Sequence, residues 1–554
     1  MRAGGTRASA FLECAPKGFW TRITHVESGR GAGSAGIELG APRACVRDMS
    51  RSAGVGRIVR ISAALLVLLG TWGSQARAQE LEGRVVEHRL ANGMTLILME
   101  RRAAPVVSAV IRFKVGSVDE PEGKTGLAHL YEHLAFRGTR IVGTRDYERE
   151  VGIRARIDSL SSCRDRLVGS RGGGEAGALR DLDRVLELTR AQLDSLLIVE
   201  ELDEIYNLNG AVRLSASTTA DLTTFEVDLP ANRLPLWAVL EADRMVHGVP
   251  RRFEVERRIC AEENRSRIDN DPEASLYREY MAAAFAVHPY RRPVPGWGED
   301  LASVDPDDAR AFYGTYYSPG NAVAAVVGDF DAARVIALAE TTFGRIPARE
   351  IPGRAIAPEP PQAEPRRAVL SRQAEPAVFM GFHKPPLGTA EDRVFEILIE
   401  ILTRDNGSRL NRALFVEKRI AMGLASWIGP GDRYPNLFTI AARPIWPHTA
   451  EEVEAALWVE LEALAREPVS AEELRRAKSR LEADFLRGLR DNRGMAEALT
   501  YHEIVLGDWR YLEDRLDLVE SIGPDDIQQT AARYLVPGNS TVAVLEVSRV
   551  RTEN

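Results

Sequence analysis

Alternating and helical hydrophobic periods divide this chain into strands and helices. Val85-Val86-Glu87-His88-Arg89-Leu90 runs into Ala91-Asn92-Gly93 and then Met94-Thr95-Leu96-Ile97-Leu98, which predicts a hairpin turning at Asn92-Gly93. Val106 to Val115 is a further strand, closed by Gly116-Ser117-Val118-Asp119-Glu120. From Leu127 to Phe136 apolar residues surround a short polar motif with no Gly or Pro, so a helix follows. Residues 154 to 206 change texture: Arg, Asp, Glu and Leu dominate around Leu182, Leu186, Leu188 and Leu193, and Gly172-Gly173-Gly174 splits the stretch. It reads as a charged helical hairpin inserted into the domain. Residues 211 to 229 return to Thr-rich strand texture, and helices are predicted over Leu234 to Val246 and Phe253 to Asn270.

The pattern then repeats. Asp305-Pro306-Asp307-Asp308 and Gly523-Pro524-Asp525-Asp526 each open a helix, and Pro319-Gly320-Asn321 and Pro537-Gly538-Asn539 each precede an apolar strand. The offset is 524 − 306 = 537 − 319 = 218 residues in both places. Two homologous α+β domains, each a largely antiparallel sheet packed with helices, are the economical reading. The boundaries fall at 79–345 for the first domain, 346–366 for a Pro-rich linker and 367–554 for the second.

Composition narrows the classes. A net charge of −8 over 554 residues, with no basic face, gives no reason to expect nucleic acid. Residues 1–48 form a Gly/Arg/Ala-rich extension without periodicity. Residues 49–78 read as a secretory signal: Arg57-Ile58-Val59-Arg60, the short apolar run Ile61 to Leu69, then Ala76-Arg77-Ala78. An exported, periplasmic or extracellular protein is expected. Cleavage after Ala78 removes Cys14 and Cys45 and leaves Cys163 and Cys260, for which one disulfide is open but not required.

The chemistry sits in His129-x-x-Glu132-His133. On a helix, positions i and i+4 share a face, so the two imidazoles are placed to grip one metal ion. Glu132 lies about 60° round the helix from His129, where it can flank the ion and take a proton from an activated water. By composition, (9/554)² × (80/554) × 554 gives about 0.02 expected matches to such a pattern, so chance is a poor explanation. Glu256 and Glu263 are seven residues apart, two helical turns, and share a face, while Glu262 points elsewhere.

Together these features resemble the inverted-motif zinc peptidases, the inverzincins, of the pitrilysin, insulin-degrading enzyme and mitochondrial processing peptidase superfamily. The resemblance runs from Glu87 to Val547 and includes Glu256-Arg257 through Glu263, His288-Pro289-Tyr290 and Pro295-Gly296-Trp297. It implies Zn²⁺ on His129, His133 and Glu263, with Glu132 as base and Glu256 supporting the site. It implies an extended peptide on the edge strand that holds Ser215, Ala216 and Ser217, with Ser215 where the family usually has Asn. It also implies that the two homologous domains form a clam-like chamber, and a metalloendopeptidase acting on peptides or unfolded polypeptides. The alternative is a non-catalytic assembly or chaperone-like subunit of the same fold. In the second half, Phe415 and Met422 stand where the family often has a substrate-binding Arg and Tyr. A homologous partner subunit bringing that pair is therefore expected, unless Arg412 or Arg419 serves instead.

Overall fold

The computed structural model describes residues 81–169, 176–353 and 355–548. Residues 1–80, with the segment expected to be an export signal, and Gly172-Gly173-Gly174 lie outside them. The architecture is mixed α and β, two sheets packed with helices. The first sheet holds β1 (Val85–Arg89), β2 (Thr95–Glu100), β3 (Val106–Phe113), β4 (Val212–Thr218), β5 (Thr223–Pro230) and β6 (Ala322–Gly328), in the order β1-β2-β6-β3-β5-β4. The second holds β7 (Arg366–Arg372), β8 (Ala377–Lys384), β9 (Ala421–Gly429), β10 (Asn436–Pro444) and β11 (Ser540–Val547), in the order β7-β11-β8-β10-β9.

The two orders are the same once β1 is set aside. The parallel pair β2–β6 answers to the parallel pair β7–β11. The remaining ladders, β6–β3–β5–β4 and β11–β8–β10–β9, are antiparallel in both. The first residues of β6 and β11 are 540 − 322 = 218 apart, so the sequence repeat is a repeat of topology.

Each half also lends a helix to the other. Helix Pro272–Ala284 lays Leu276, Tyr280 and Met281 on the second sheet against Phe379, Trp427 and Leu437. Helix Asn492–Leu506 lays Met495, Ala496 and Leu499 on the first sheet against Ile97, Val110 and Val323. Their starts are 492 − 272 = 220 residues apart, close to the repeat offset. Both sheets are therefore covered on both faces. A strand buried on both faces reads as a continuous apolar run, which is what Ala322-Val323-Ala324-Ala325-Val326-Val327 is.

The inserted segment differs from its predicted bounds of 154–206. The antiparallel helices Tyr147–Gly169 and Ala176–Leu196, joined across by Arg164 and Asp183 at 2.7 Å, make the hairpin. The following helix Glu201–Leu208 buries Leu202 and Tyr206 in the core of the first half, and the Tyr206 hydroxyl donates to Glu241 at 2.6 Å. The charged texture of residues 200–206 masked those two anchors. The base of the hairpin is held by buried Glu150, paired with Arg251 at 2.9 Å. Cys163 and Cys260 are both free, so they do not form the disulfide left open above. Among the described residues no helix is long and apolar enough to cross a membrane.

A polar lock joins the halves near the site. Asp221, in the β4–β5 turn, is 3% exposed. Its Oδ2 accepts the Asp432 and Arg433 N–H groups at 2.6 and 2.9 Å, and the Tyr290 hydroxyl donates to Oδ1 at 2.7 Å. The Arg433 guanidinium continues to Asp119 at 3.0 Å. Gly431 makes this approach possible, since a Cβ there would stand 2.4 Å from Asp221 Oδ2. Removing a buried acceptor of several bonds strands its donors. Asp221→Ala is expected to lower unfolding stability by about 3 kcal/mol in urea titrations, and an unchanged midpoint would show that the loop is held by other contacts.

Candidate metal centre

The motif helix Leu127–Ala135 is buried almost all round, with Leu127, Leu130 and Leu134 in the core of the first half. Its start is fixed by Gly126, at φ 93°, and by Glu120, which accepts the N–H groups of Gly126 and Ala128 at 2.9 and 2.8 Å. A Cβ on Gly126 would stand 2.6 Å from the Pro295 carbonyl, so the family-like segment at Pro295-Gly296 closes directly behind the motif. Burial pushes the Glu120 carboxyl up to about 8 against those two bonds. A carboxyl at a helix N-terminus is favourably placed in any case.

Helix Phe253–Asn264 crosses in front of the motif helix. Its buried face carries Phe253, Glu256, Cys260 and Asn264, at the 3.6-residue period of an amphipathic helix. Beyond Asn264 the predicted continuous helix widens into a π-helical turn, Arg265–Asp269, and Arg267 there pairs with Glu263. A widened turn beside a polar cluster is a common feature of functional sites.

The groups predicted for the site converge. Glu263 Oε2 lies 3.4 Å from His133 Nε2 and 3.8 Å from His129 Nε2. Glu256 Oε2 lies 3.6 Å from His133 Nδ1, and its other oxygen pairs with Arg137 at 3.0 Å. Glu132 is buried and accepts the Thr218 hydroxyl at 2.6 Å, so the end of β4 meets the base candidate. Glu262 stays outside, exposed and paired with Arg265 at 2.7 Å.

Charges in this cluster are strongly polarised. Burial, then the neighbouring His133 charge, lowers His129 to about 3. Burial opposes a charge on His133 too, but hydrogen bonds to Cys260, Glu256 and Glu263 outweigh it and push it up to about 12. Burial would raise Glu263; its bond to His133 and the charges of His129 and Arg267 prevail and hold it at about 2. One carboxylate and two imidazoles with their nitrogens turned together form the donor set zinc takes. A divalent cation among Glu263 Oε2 and the Nε2 atoms of His129 and His133 would supply compensating charge for the whole cluster. The residues present fit such an ion.

Ser215, Ala216 and Ser217 lie on β4, the terminal strand of the first sheet. Ser215 Oγ donates to Glu226 at 2.8 Å and is occupied within the sheet, so only the strand backbone is placed for an extended ligand. Phe415 and Met422 lie in the second half and are exposed.

Two participants escaped the sequence reading. Thr218 is reached only through the pairing of β4 with β5. Cys260 had a signal: it is four residues after Glu256 and three before Glu263, hence on their face. Its sulfur and a nitrogen of each of His129 and His133 all lie within 4.8 Å of one another.

Comparisons with known proteins place the chain among peptidase domains. The model of insulinase, peptidase family M16, matches residues 96–156, which contain the motif helix. The model of the peptidase M16 inactive domain matches residues 303–481, largely in the half that lacks the motif. Zinc protease PqqE of Helicobacter pylori is 25% identical over 501 residues, 89% of this chain and 99% of that protein. The crystal structure of a protease from Helicobacter pylori superposes with a TM-score of 0.70 at 24% identity, over 84% of this chain and 99% of that one. The periplasmic protease PqqL from Escherichia coli superposes with a TM-score of 0.63 at 16% identity, over 84% of this chain but 48% of that one. The chain is thus built of insulinase-like peptidase domains of family M16 and is homologous to zinc protease PqqE.

Proposed function

We propose that this protein is an exported zinc-dependent endopeptidase that hydrolyses peptides or unfolded polypeptides at the His129–Glu132–His133–Glu263 cluster. The observation that carries the reading is the convergence of Glu263 on both ring nitrogens at 3.4 and 3.8 Å, with Glu132 beside them. Held by His129, His133 and Glu263, zinc would supply Lewis acidity to a peptide carbonyl and acidify a nearby water.

The remaining work belongs to the chain. Thr218 fixes the rotation of the Glu132 carboxylate through its 2.6 Å bond to Oε2. Glu132 takes the proton of the attacking water and can return it to the leaving amine. Glu256, held by Arg137, orients His133 from its other nitrogen, which fixes the ring. The backbone of β4 offers the hydrogen-bonding edge on which an extended peptide adds as a strand. Ser215, Ala216 and Ser217 contribute through that backbone. Export rests on the signal-like segment ending Ala76-Arg77-Ala78.

Where the two domains of this chain were expected to form the chamber between them, a second pair of domains would instead be needed to enclose it. The two halves of this chain meet through packed apolar faces, and the chain matches about half of the PqqL chain. Exposed Phe415 and Met422 cannot donate the hydrogen bonds of an Arg and a Tyr. A homologous partner lacking H-x-x-E-H but carrying that pair would complete the enclosure.

Glu132→Gln is expected to retain zinc and to lose about 10²- to 10⁴-fold in peptidase rate, because an amide cannot accept the proton; joint loss of zinc and activity would make Glu132 a ligand or a structural group. Metal analysis should separate the two adjacent glutamates. Glu263→Gln should weaken zinc by roughly 100-fold, the upper end of what loss of a mere supporting group costs, and Glu262→Gln should leave zinc content unchanged. The opposite pattern would show that the helix presents the other carboxylate. For the partner, sedimentation and peptide assays with and without a homologous Arg/Tyr-carrying chain should show association and a rise in turnover. Full activity from a monomer, unchanged by that chain, contradicts it.

A further inference from the structure

The second half repeats the topology of the first, and the repeat locates its own version of the metal centre. Strands β3 and β8 hold the same place in the two sheets, have equal length and start 377 − 106 = 271 residues apart. Carried along helix Ala390–Leu402 and just past its end, that offset sets Glu400 against His129, Thr403 against Glu132 and Arg404 against His133. On helix Ala471–Gly488 an offset of 473 − 256 = 480 − 263 = 217 sets Glu473 against Glu256 and Arg480 against Glu263. These five residues line one cavity of about 610 Å³. The supporting pair is repeated too: Arg409 holds Glu473 at 2.8 and 2.9 Å, as Arg137 holds Glu256.

The chemistry of the two centres differs. Arginine stands where His133 and Glu263 would be, and a guanidinium has no lone pair to offer a metal. Arg404 brings a cation of its own: its Nε lies 3.6 Å from Glu400 Oε1, and its guanidinium pairs with Asp484. The Glu400 side chain is 3% exposed, and its Oε2 has no hydrogen-bond partner. Burial pushes this carboxyl up, against the charge of Arg404. Arg476 and Arg480 share a helix face at i and i+4 and are 54% and 39% exposed, so they form the rim. Arg480 pairs with Asp405, while Arg476 has Glu472 only at 4.0 Å. An anion alone would meet the free oxygen of Glu400, and a cation alone would meet three guanidiniums. A ligand charged at both ends satisfies floor and rim together. We propose that this cavity binds a short zwitterionic peptide, its ammonium group on Glu400 Oε2 and its carboxylate on Arg476 and Arg480. The volume is that of a small-molecule site. Both termini are held within it, so the length of the peptide is limited, and binding needs neither the metal centre nor an ion.

Calorimetric titration of the full chain with the dipeptide Ala-Ala tests this. Saturable, stoichiometric binding is expected. Acetylating the amine or amidating the carboxylate should each weaken it by about 10- to 100-fold, the worth of a hydrogen bond to a charged group. Glu400→Gln and Arg476→Ala should each weaken Ala-Ala to a similar degree, with the zinc content of the protein unchanged. Arg476 is at the rim, so its variant decides the matter should Glu400→Gln fail to fold. Failure of Ala-Ala to bind at millimolar concentration, or binding unaffected by Arg476→Ala, overturns the proposal. Equal binding of acetylated Ala-Ala or of inorganic phosphate would make this a plain anion site and also overturns it. Equal binding of a long, C-terminally amidated peptide would mean that the amine alone is recognised, and refutes the enclosed zwitterion.

Discussion

The structure depends on one buried contact between two helix faces. His129 and His133 on Leu127–Ala135 meet Glu256, Cys260 and Glu263 on Phe253–Asn264. Burying this many ionisable groups costs several kcal/mol unless they compensate one another. Here compensation takes the form of polarisation: His133 is driven up, His129 and Glu263 down. In the function proposed here a divalent cation would replace protons as the compensating charge of this contact. Glu120 caps the start of one helix, and Arg267 in the π-helical turn at the end of the other pairs with Glu263.

The second half supports that contact without sharing its chemistry. It covers the back of the first sheet with helix Asn492–Leu506 and receives helix Pro272–Ala284 in return. Arg493 of the lent helix reaches Glu226 at 2.7 Å and donates to the Arg213 carbonyl at 2.6 Å, tying β5 and β4 down from behind. Asp221 and the Gly431–Arg433 loop close the same turn from the other side. The strand that ends at Thr218, and so the carboxylate of Glu132, is thereby positioned by both halves. A half without a metal motif still has a physical role in the centre.

Much of this was legible in the sequence, for identifiable reasons. The Asn92-Gly93 turn, the Pro-Gly-Asn repeat and most strand and helix periods are local signals that became elements where they were expected, while the hairpin starts earlier, at Tyr147, and the helix expected to run to Asn270 widens at Arg265. The helical spacing of His129, His133, Glu256 and Glu263 survives folding because it is set within single helices. What was not legible is relational. Thr218 reaches Glu132 only through strand pairing, and the reciprocal loan of helices depends on how two cores dock. Leu202 and Tyr206 were hidden among charges because two buried side chains suffice to anchor a short helix. Cys260 was legible in phase with Glu256 and Glu263, but a lone buried cysteine in a helix ordinarily behaves as a small apolar residue.

Anomalous diffraction at the zinc edge from crystals of the full chain tests the centre most directly. A single strong peak within bonding distance of His129, His133 and Glu263, with Glu132 beside it, is the predicted result. A peak at other residues, or no peak in zinc-saturated crystals, would contradict the assignment of this helix pair as the metal centre.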